Sequence, residues 1–197
     1  MIRLTKVSKQ FPNGTLALAN VTAEISQGEF IYIVGPSGSG KSTLFKLLLK
    51  EENLSAGSIQ IGNVLLEKLS DRHLYMIRRQ VGIVQQEDLL LPHMTAYKNV
   101  EYALRVLGVP RKVRKEKTSK ALQMVGMTAY QSCYPQELSV GQCKKIAIAR
   151  AIVTDPPVLI ADEPTANLDI KSALEIMKLF LKFNQLGATV LLATHDS

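Results

Sequence analysis

The sequence predicts an α/β protein: a parallel β-sheet covered by helices, with an N-terminal antiparallel β subdomain and an inserted α-helical subdomain. Three observations lead there. The apolar run Phe30-Ile-Tyr-Ile-Val34 precedes the glycine-rich loop Gly35-Pro-Ser-Gly-Ser-Gly-Lys41-Ser42, and the apolar-periodic stretch Ser42 to Leu49 follows it. A second apolar run, Val158-Leu-Ile-Ala161, ends on the acidic pair Asp162-Glu163. A helical pattern from about Ile170 to Asn184 then leads to a third run, Thr189 to Ala193. Strands alternating with helices need crossover connections, and those give parallel pairing with both faces of the sheet buried.

The loop carries the most chemical information. Its glycines remove side-chain bulk, so backbone N–H groups can turn inward around a phosphate. Strand, loop and helix in that order put the positive end of the helix dipole on the anion. Gly35, Pro36, Ser37, Gly38, Ser39 and Gly40 would form the cradle, with Thr43 in the first helical turn behind it. Lys41 would reach the β- and γ-phosphates, and the Ser42 hydroxyl would ligate Mg2+. Together these residues make a P-loop NTPase core and predict a nucleoside triphosphate ligand.

Before the loop, Ile2 to Val7 and Val21 to Ile25 alternate apolar and polar residues about the turn signal Asn13-Gly14, as antiparallel strands do. After it come the short strand Ser58 to Ile61 and the strand Val81 to Val84. From Glu87 to about Leu138 the period becomes helical. Ala96, Val100, Ala103, Leu104 and Leu107 form one stripe, and Gly108-Val-Pro110 ends that helix. A further helix covers Gln142 to Val153, with Ile146, Ala149 and Val153 on one face. The expected division is a single domain with a nucleotide-binding core at 1–86 and 139–197 and a helical subdomain at 87–138.

Composition sets the context. At 197 residues the chain holds one sizeable domain, and its 46% hydrophobic content is that of a globular protein. No apolar run approaches the roughly 18 residues of a membrane span, and the start lacks the apolar core of a signal peptide. The expectation is a cytoplasmic protein. Cys133 and Cys143 make no disulfide framework and are expected as free buried thiols. The net charge of +7 is concentrated in Arg111 to Lys120, where six basic residues meet one acidic. Such a run reads as a solvated helix face, or as attraction to an anionic membrane surface or an acidic partner. Nucleic acid is not expected, since aromatic content is 6% and no aromatic residue lies inside the run to stack bases.

A phosphate loop alone fits many enzymes, and the second half of the chain narrows them. Asp162 stands at the C-terminal end of its strand, where ligands of parallel sheets bind, and would hold Mg2+. Glu163, one residue on and pointing elsewhere, could polarise an attacking water; an acidic pair in this position also serves as a helix cap. Leu138-Ser-Val-Gly-Gln142 opens a helix with a hydroxyl and a glycine, which is anion-ready, though Ser139 also reads simply as an N-cap. His195, just past the strand Thr189 to Ala193, is placed where a neutral imidazole could touch a γ-phosphate.

These elements, in this order, resemble the ATP-binding-cassette (ABC) ATPases: GPSGSGKS at 35–42, Gln86, LSVGQ at 138–142, VLIADEP at 158–164, NLD at 167–169 and His195. The resemblance covers the whole chain and implies an ABC nucleotide-binding domain using ATP and Mg2+. By position, Phe11 resembles the aromatic that stacks on adenine. Gln86 resembles the glutamine that senses Mg2+ and the membrane partner. Ser139, Gly141 and Gln142 resemble the signature that caps the γ-phosphate of ATP on the opposite subunit, and Asp169 the loop aspartate that crosses the interface. The implied assembly is a head-to-tail homodimer closed by ATP, peripheral to the cytoplasmic face of the cell membrane and bound to an integral membrane subunit.

Within the family, the stretches Val7 to Gly14, Gly28 to Gly35, Ile77 to Gly82 and Phe183 to His195 look most like the cell-division branch. The run Ala161 to Asp169 is also shared with lipoprotein-release and macrolide-export ATPases. Two departures stand out. Val140 occupies a position that is usually glycine, and Lys144-Lys145 replace the usual glutamine-arginine. If the family backbone at Val140 needed positive φ, a β-branched residue would strain it and slow hydrolysis. The sequence also stops at Ser197, where members of the family continue with further strand and helix, so a C-terminal part is expected to be missing.

Overall fold

The computed structural model describes residues 1–194, except for the side chains of Asp71 and Arg78. Two four-stranded sheets form the frame. In the first, β1 (Ile2–Gln10) pairs antiparallel with β2 (Leu16–Ile25) and with β4 (Ala56–Ile61), and β4 pairs with β5 (Val64–Leu65). In the second, β3 (Phe30–Val34), β8 (Thr189–Thr194), β7 (Val158–Asp162) and β6 (Val81–Val84) lie side by side, all parallel.

Alternation along the parallel strands builds two cores. Val158 and Ile160 of β7, with Leu191 and Ala193 of β8, face a cluster shared with α1 (Lys41–Leu48) and the antiparallel sheet. Leu159 and Ala161, with Val190 and Leu192, face the other way. There they meet α5 (Val140–Ile152), α6 (Ile170–Gln185), and the helices α3 (Ala96–Val106) and α4 (Arg111–Met124). Side chains of a strand point to opposite faces with period two, so one strand feeds both layers. The short α2 (Tyr75–Arg78) precedes β6. Helices α3 and α4 bury Val100, Leu104, Ala121 and Leu122 in the same cluster as α5 and the sheet.

The turn between β1 and β2 forms at Asn13-Gly14, with Gly14 at φ 86° and its N–H donating to the Phe11 carbonyl at 2.9 Å. Both strands run further than alternation indicated. The ladder slips between Leu4 and Val7, where Lys6 takes φ 48°. Two successive exposed residues, Thr5 and Lys6, therefore break the in–out phase, as a bulge does. On α4 the basic run is only partly solvated. Arg114 pairs with Glu101 at 3.2 Å and Lys117 with Asp155 at 2.6 Å, while Arg111, Lys112, Lys115 and Lys120 are exposed.

Candidate nucleotide site

Because β3, β8, β7 and β6 are parallel, their C-terminal ends share one edge, and the register fixes what meets there. Val34 pairs with Thr194, Ala193 with Asp162, and Ala161 with Val84. The loop after β3, the acidic pair ending β7 and the Gln85-Gln86 segment after β6 are thereby brought to the same rim. His195, expected just beyond β8, lies outside the described residues.

The phosphate loop is set by backbone demands. Gly40 caps α1 at φ 95°, and no side-chain cap takes the first N–H groups of the helix. A Cβ on Gly40 would lie 2.4 Å from the Ala17 carbonyl oxygen of β2, so this position excludes every other residue. Lys41 is buried, and its ammonium donates to the Gly35 carbonyl at 2.5 Å and the Pro36 carbonyl at 3.0 Å. One N–H and the full charge remain for an anion. Ser42 is exposed beside it on the first helical turn. Phe11, on the β1–β2 turn, has the Lys9 ammonium 4.9 Å from its ring centre; Lys9 is held by Glu52 at 2.7 Å.

Glu163 is a non-glycine residue in the left-handed region, at φ 45°. Its N–H donates to the Ala193 carbonyl at 2.9 Å, continuing the β7–β8 ladder one residue past the strand. Such a conformation costs roughly 1–3 kcal/mol and persists where the surroundings over-determine it, often at functional sites. Asp162 and Glu163 are both half-buried at the rim. Ser42, Asp162 and the Gln86 amide are hard oxygen donors, and one carboxylate with hydroxyl, water and phosphate oxygens is a set that suits Mg2+. Among the described residues no cluster of three or more His, Cys, Asp or Glu side chains offers another kind of metal site.

The second anion-ready helix start is α5. Ser139 and Gln142 form a capping box: the Gln142 N–H donates to Ser139 Oγ at 3.3 Å, and the Ser139 N–H donates to Gln142 Oε1 at 2.9 Å. Gly141 lies against α6, where a Cβ would come within 3.2 Å of Ser172 Oγ. Asp169 caps α6, accepting from Ser172 Oγ at 2.6 Å and from the Ser172 N–H at 3.0 Å. Those bonds, the hydroxyl one foremost, hold its carboxyl below the usual aspartate range. A lowered folded-state value means the cap contributes fully above that range and is lost as pH falls through the lowered value. Asp169→Ala is therefore expected to lower Tm at neutral pH, with the deficit closing in strong acid; paired thermal melts check it.

Val140 corrects a sequence-based concern. It is the first residue of α5, with helical backbone rather than positive φ, and its side chain is exposed. Nothing at this position strains the chain. Val140→Gly is expected to leave ATP turnover within about twofold and to cost about 0.5 kcal/mol of stability from helix propensity alone; steady-state assays and denaturant melts read both. Cys133 and Cys143 are free as expected, but each is half-buried rather than buried. Burial and the Asp88 carboxylate push the Cys143 thiol up.

Sequence reasoning missed a set of residues around Gln86. Gln86 is itself exposed, yet its carbonyl accepts from the buried Lys144 ammonium at 2.8 Å. Lys144 also donates to the Gln85 carbonyl at 3.2 Å and pairs with Asp88 at 2.7 Å, a contact of charges rather than an aligned hydrogen bond. Arg150 donates to the Asp88 and Leu89 carbonyls at 2.7 and 2.8 Å. The available signal was phase: Lys144 falls in step with Ile148 and Ile152 on the buried side of α5.

Helix α1 packs on one face of the parallel sheet and α5 on the other. The sheet therefore lies between the two helices, and their N-termini belong to opposite layers. The glycine loop, the acidic strand end and the capped α5 start are the parts of a nucleotide-binding cassette. The ABC transporter family matches residues 18–166, and the chain belongs to that family. It is 44% identical over its whole length to the cell division ATP-binding protein FtsE of Streptococcus pneumoniae, covering 86% of that protein. It is 41% identical over its whole length to the FtsE of Escherichia coli, covering 88% of it. Among solved structures it resembles an ATP-binding cassette seen as a dimer in a post-hydrolysis state bound to ADP and Pi, with TM-score 0.88 and 37% identity. That likeness covers all of this chain and 88% of the other. Among the described residues no helix is long and apolar enough to cross a membrane.

Proposed function

We propose that this chain is the ATP-binding and ATP-hydrolysing subunit of a membrane-bound cell-division ABC complex, an FtsE whose integral membrane partner is FtsX. The observation that carries the reading is the shared rim, where the register gathers the phosphate loop, Asp162-Glu163 and Gln86 at the C-terminal ends of parallel strands. Identity to proteins named FtsE over the full chain supports the cell-division assignment.

In this reading the loop N–H groups and Lys41 bind and orient the triphosphate, and Phe11 stacks on the adenine. Ser42, Asp162 and Gln86 would hold Mg2+, which would supply neutralisation of the triphosphate's charge. Glu163 accepts a proton from the water that attacks the γ-phosphorus; the bond from phosphorus to the bridging oxygen breaks, and ADP leaves with the electron pair. His195 is assigned to the γ-phosphate. The separation of α1 and α5 across the sheet supports a homodimer, in which Ser139, Gly141 and Gln142 of one copy close over the nucleotide of the other, with Asp169 at the interface. Closure would pull on FtsX through the Gln86 region, and FtsX would switch cell-wall hydrolases outside the cytoplasmic membrane, on whose inner face the ATPase sits.

Sedimentation with saturating Mg-ATP tests the core of this. A monomer-to-dimer shift for Glu163→Gln is the expected result, and a monomer at every ATP concentration would refute the dimer. Co-purification from membranes tests the partner: recovery with an exporter subunit in place of FtsX would move the chain to another branch of the family.

A further inference from the structure

We infer that Lys144 is a positioning residue for hydrolysis: it latches the Gln85–Asp88 segment to the helix that begins at Ser139, so that Gln86 and the α5 N-terminus move as one body. The inference rests on the nucleotide site proposed above. Its ground is the placement of one charge. Lys144 is 2% exposed, and an ammonium so deep persists only where its hydrogens and charge are met. They are met from a single short segment: the carbonyls of Gln85 and Gln86 and the carboxylate of Asp88. Arg150, further along α5, takes the carbonyls of Asp88 and Leu89, so the same helix grips the segment at two points.

The consequence is mechanical. Segment 85–89 leads out of β6 at the catalytic rim, and by itself it would be a connecting loop with exposed Gln86, Glu87 and Leu89. Loops of that kind open locally at little cost. Here each departure of the segment from α5 would strip a buried ammonium of its partners, which makes opening costly. A neutral glutamine at 144 would supply hydrogen bonds without that charge. The latch therefore ties the approach of the Gln86 side chain to the position of Ser139, one and a half turns up the same helix.

The test uses the full chain with Lys144→Gln and Asp88→Asn combined, which removes both charges and keeps polar contacts. Lys144→Met alone would leave Asp88 unpaired and is unsuitable. Glu175→Gln, which opens the exposed Lys145–Glu175 pair on the same helix, serves as control. Amide hydrogen exchange without nucleotide is expected to speed up at least tenfold over residues 85–89 in the double variant and to stay at the parent level in the control. The kcat for ATP is expected to fall fivefold or more with KM within twofold. Adding Gln86→Ala should lower kcat no further than Gln86→Ala does alone, because both changes act through one side chain. Unchanged exchange, a kcat within twofold of the parent protein, or losses that multiply with Gln86→Ala would each overturn the inference. A parent protein with no ATP turnover would sink the functional reading instead, and the exchange measurement would still decide the latch.

Discussion

Glu163→Gln is expected to lower ATP turnover at least a hundredfold while leaving ATP affinity within about threefold. The substitution keeps the size of the side chain and removes the proton acceptor, and a positioned general base contributes on the order of 10²–10⁴ in rate. The backbone should tolerate it. Left-handed φ at residue 163 is held by the N–H bond to Ala193, which glutamine retains. Thermal melts of parent and variant separate a chemical loss from a folding defect. Steady-state phosphate release beside nucleotide titration checks both halves. Equal turnover in parent and variant would mean that this carboxylate does not activate water and that the protein acts as an ATP-gated switch.

Lys41→Ala is expected to weaken ATP binding roughly ten- to a hundredfold, as befits loss of a charge-assisted hydrogen bond of about 1.5–3 kcal/mol. The ammonium is already gathered by the Gly35 and Pro36 carbonyls, so it meets the anion without first being ordered. Arginine should not substitute: its planar fork is larger than the space inside the loop, where Lys41 is buried. Fluorescent-nucleotide titration of both variants reads the effect. Undiminished affinity in Lys41→Ala would remove the phosphate loop from the site.

Most of the fold was legible because its signals were local. The four parallel strands appear as apolar runs bounded by glycine, acidic or polar residues, and α3 and α6 as stripes of helical period. The rim was legible too, since strand ends and helix starts follow from chain order. Register was not: the slip at Lys6 depends on a bulge that breaks alternation, whereas Ile2 to Val7 reads in sequence as one uninterrupted strand. Burial of Lys144 was equally hidden. A lysine on the inward side of a helix runs against the hydrophobic pattern until its acceptors, nearly sixty residues away in sequence, come into place. Val140 shows the converse: a departure that looked costly from motif comparison is harmless once its backbone is seen to be helical.

The two-sided β7 also constrains what insertions and deletions the gene can accumulate. Moving Val158–Asp162 by a single residue would trade the occupants of both interiors at once, putting Leu159 where Ile160 belongs, and would carry Asp162 off the rim. Length variation in descendants of this chain should therefore collect in the β1–β2 turn and around Gly108-Val109-Pro110, while the distance from Val158 to Glu163 stays fixed even as the identities of the apolar residues drift.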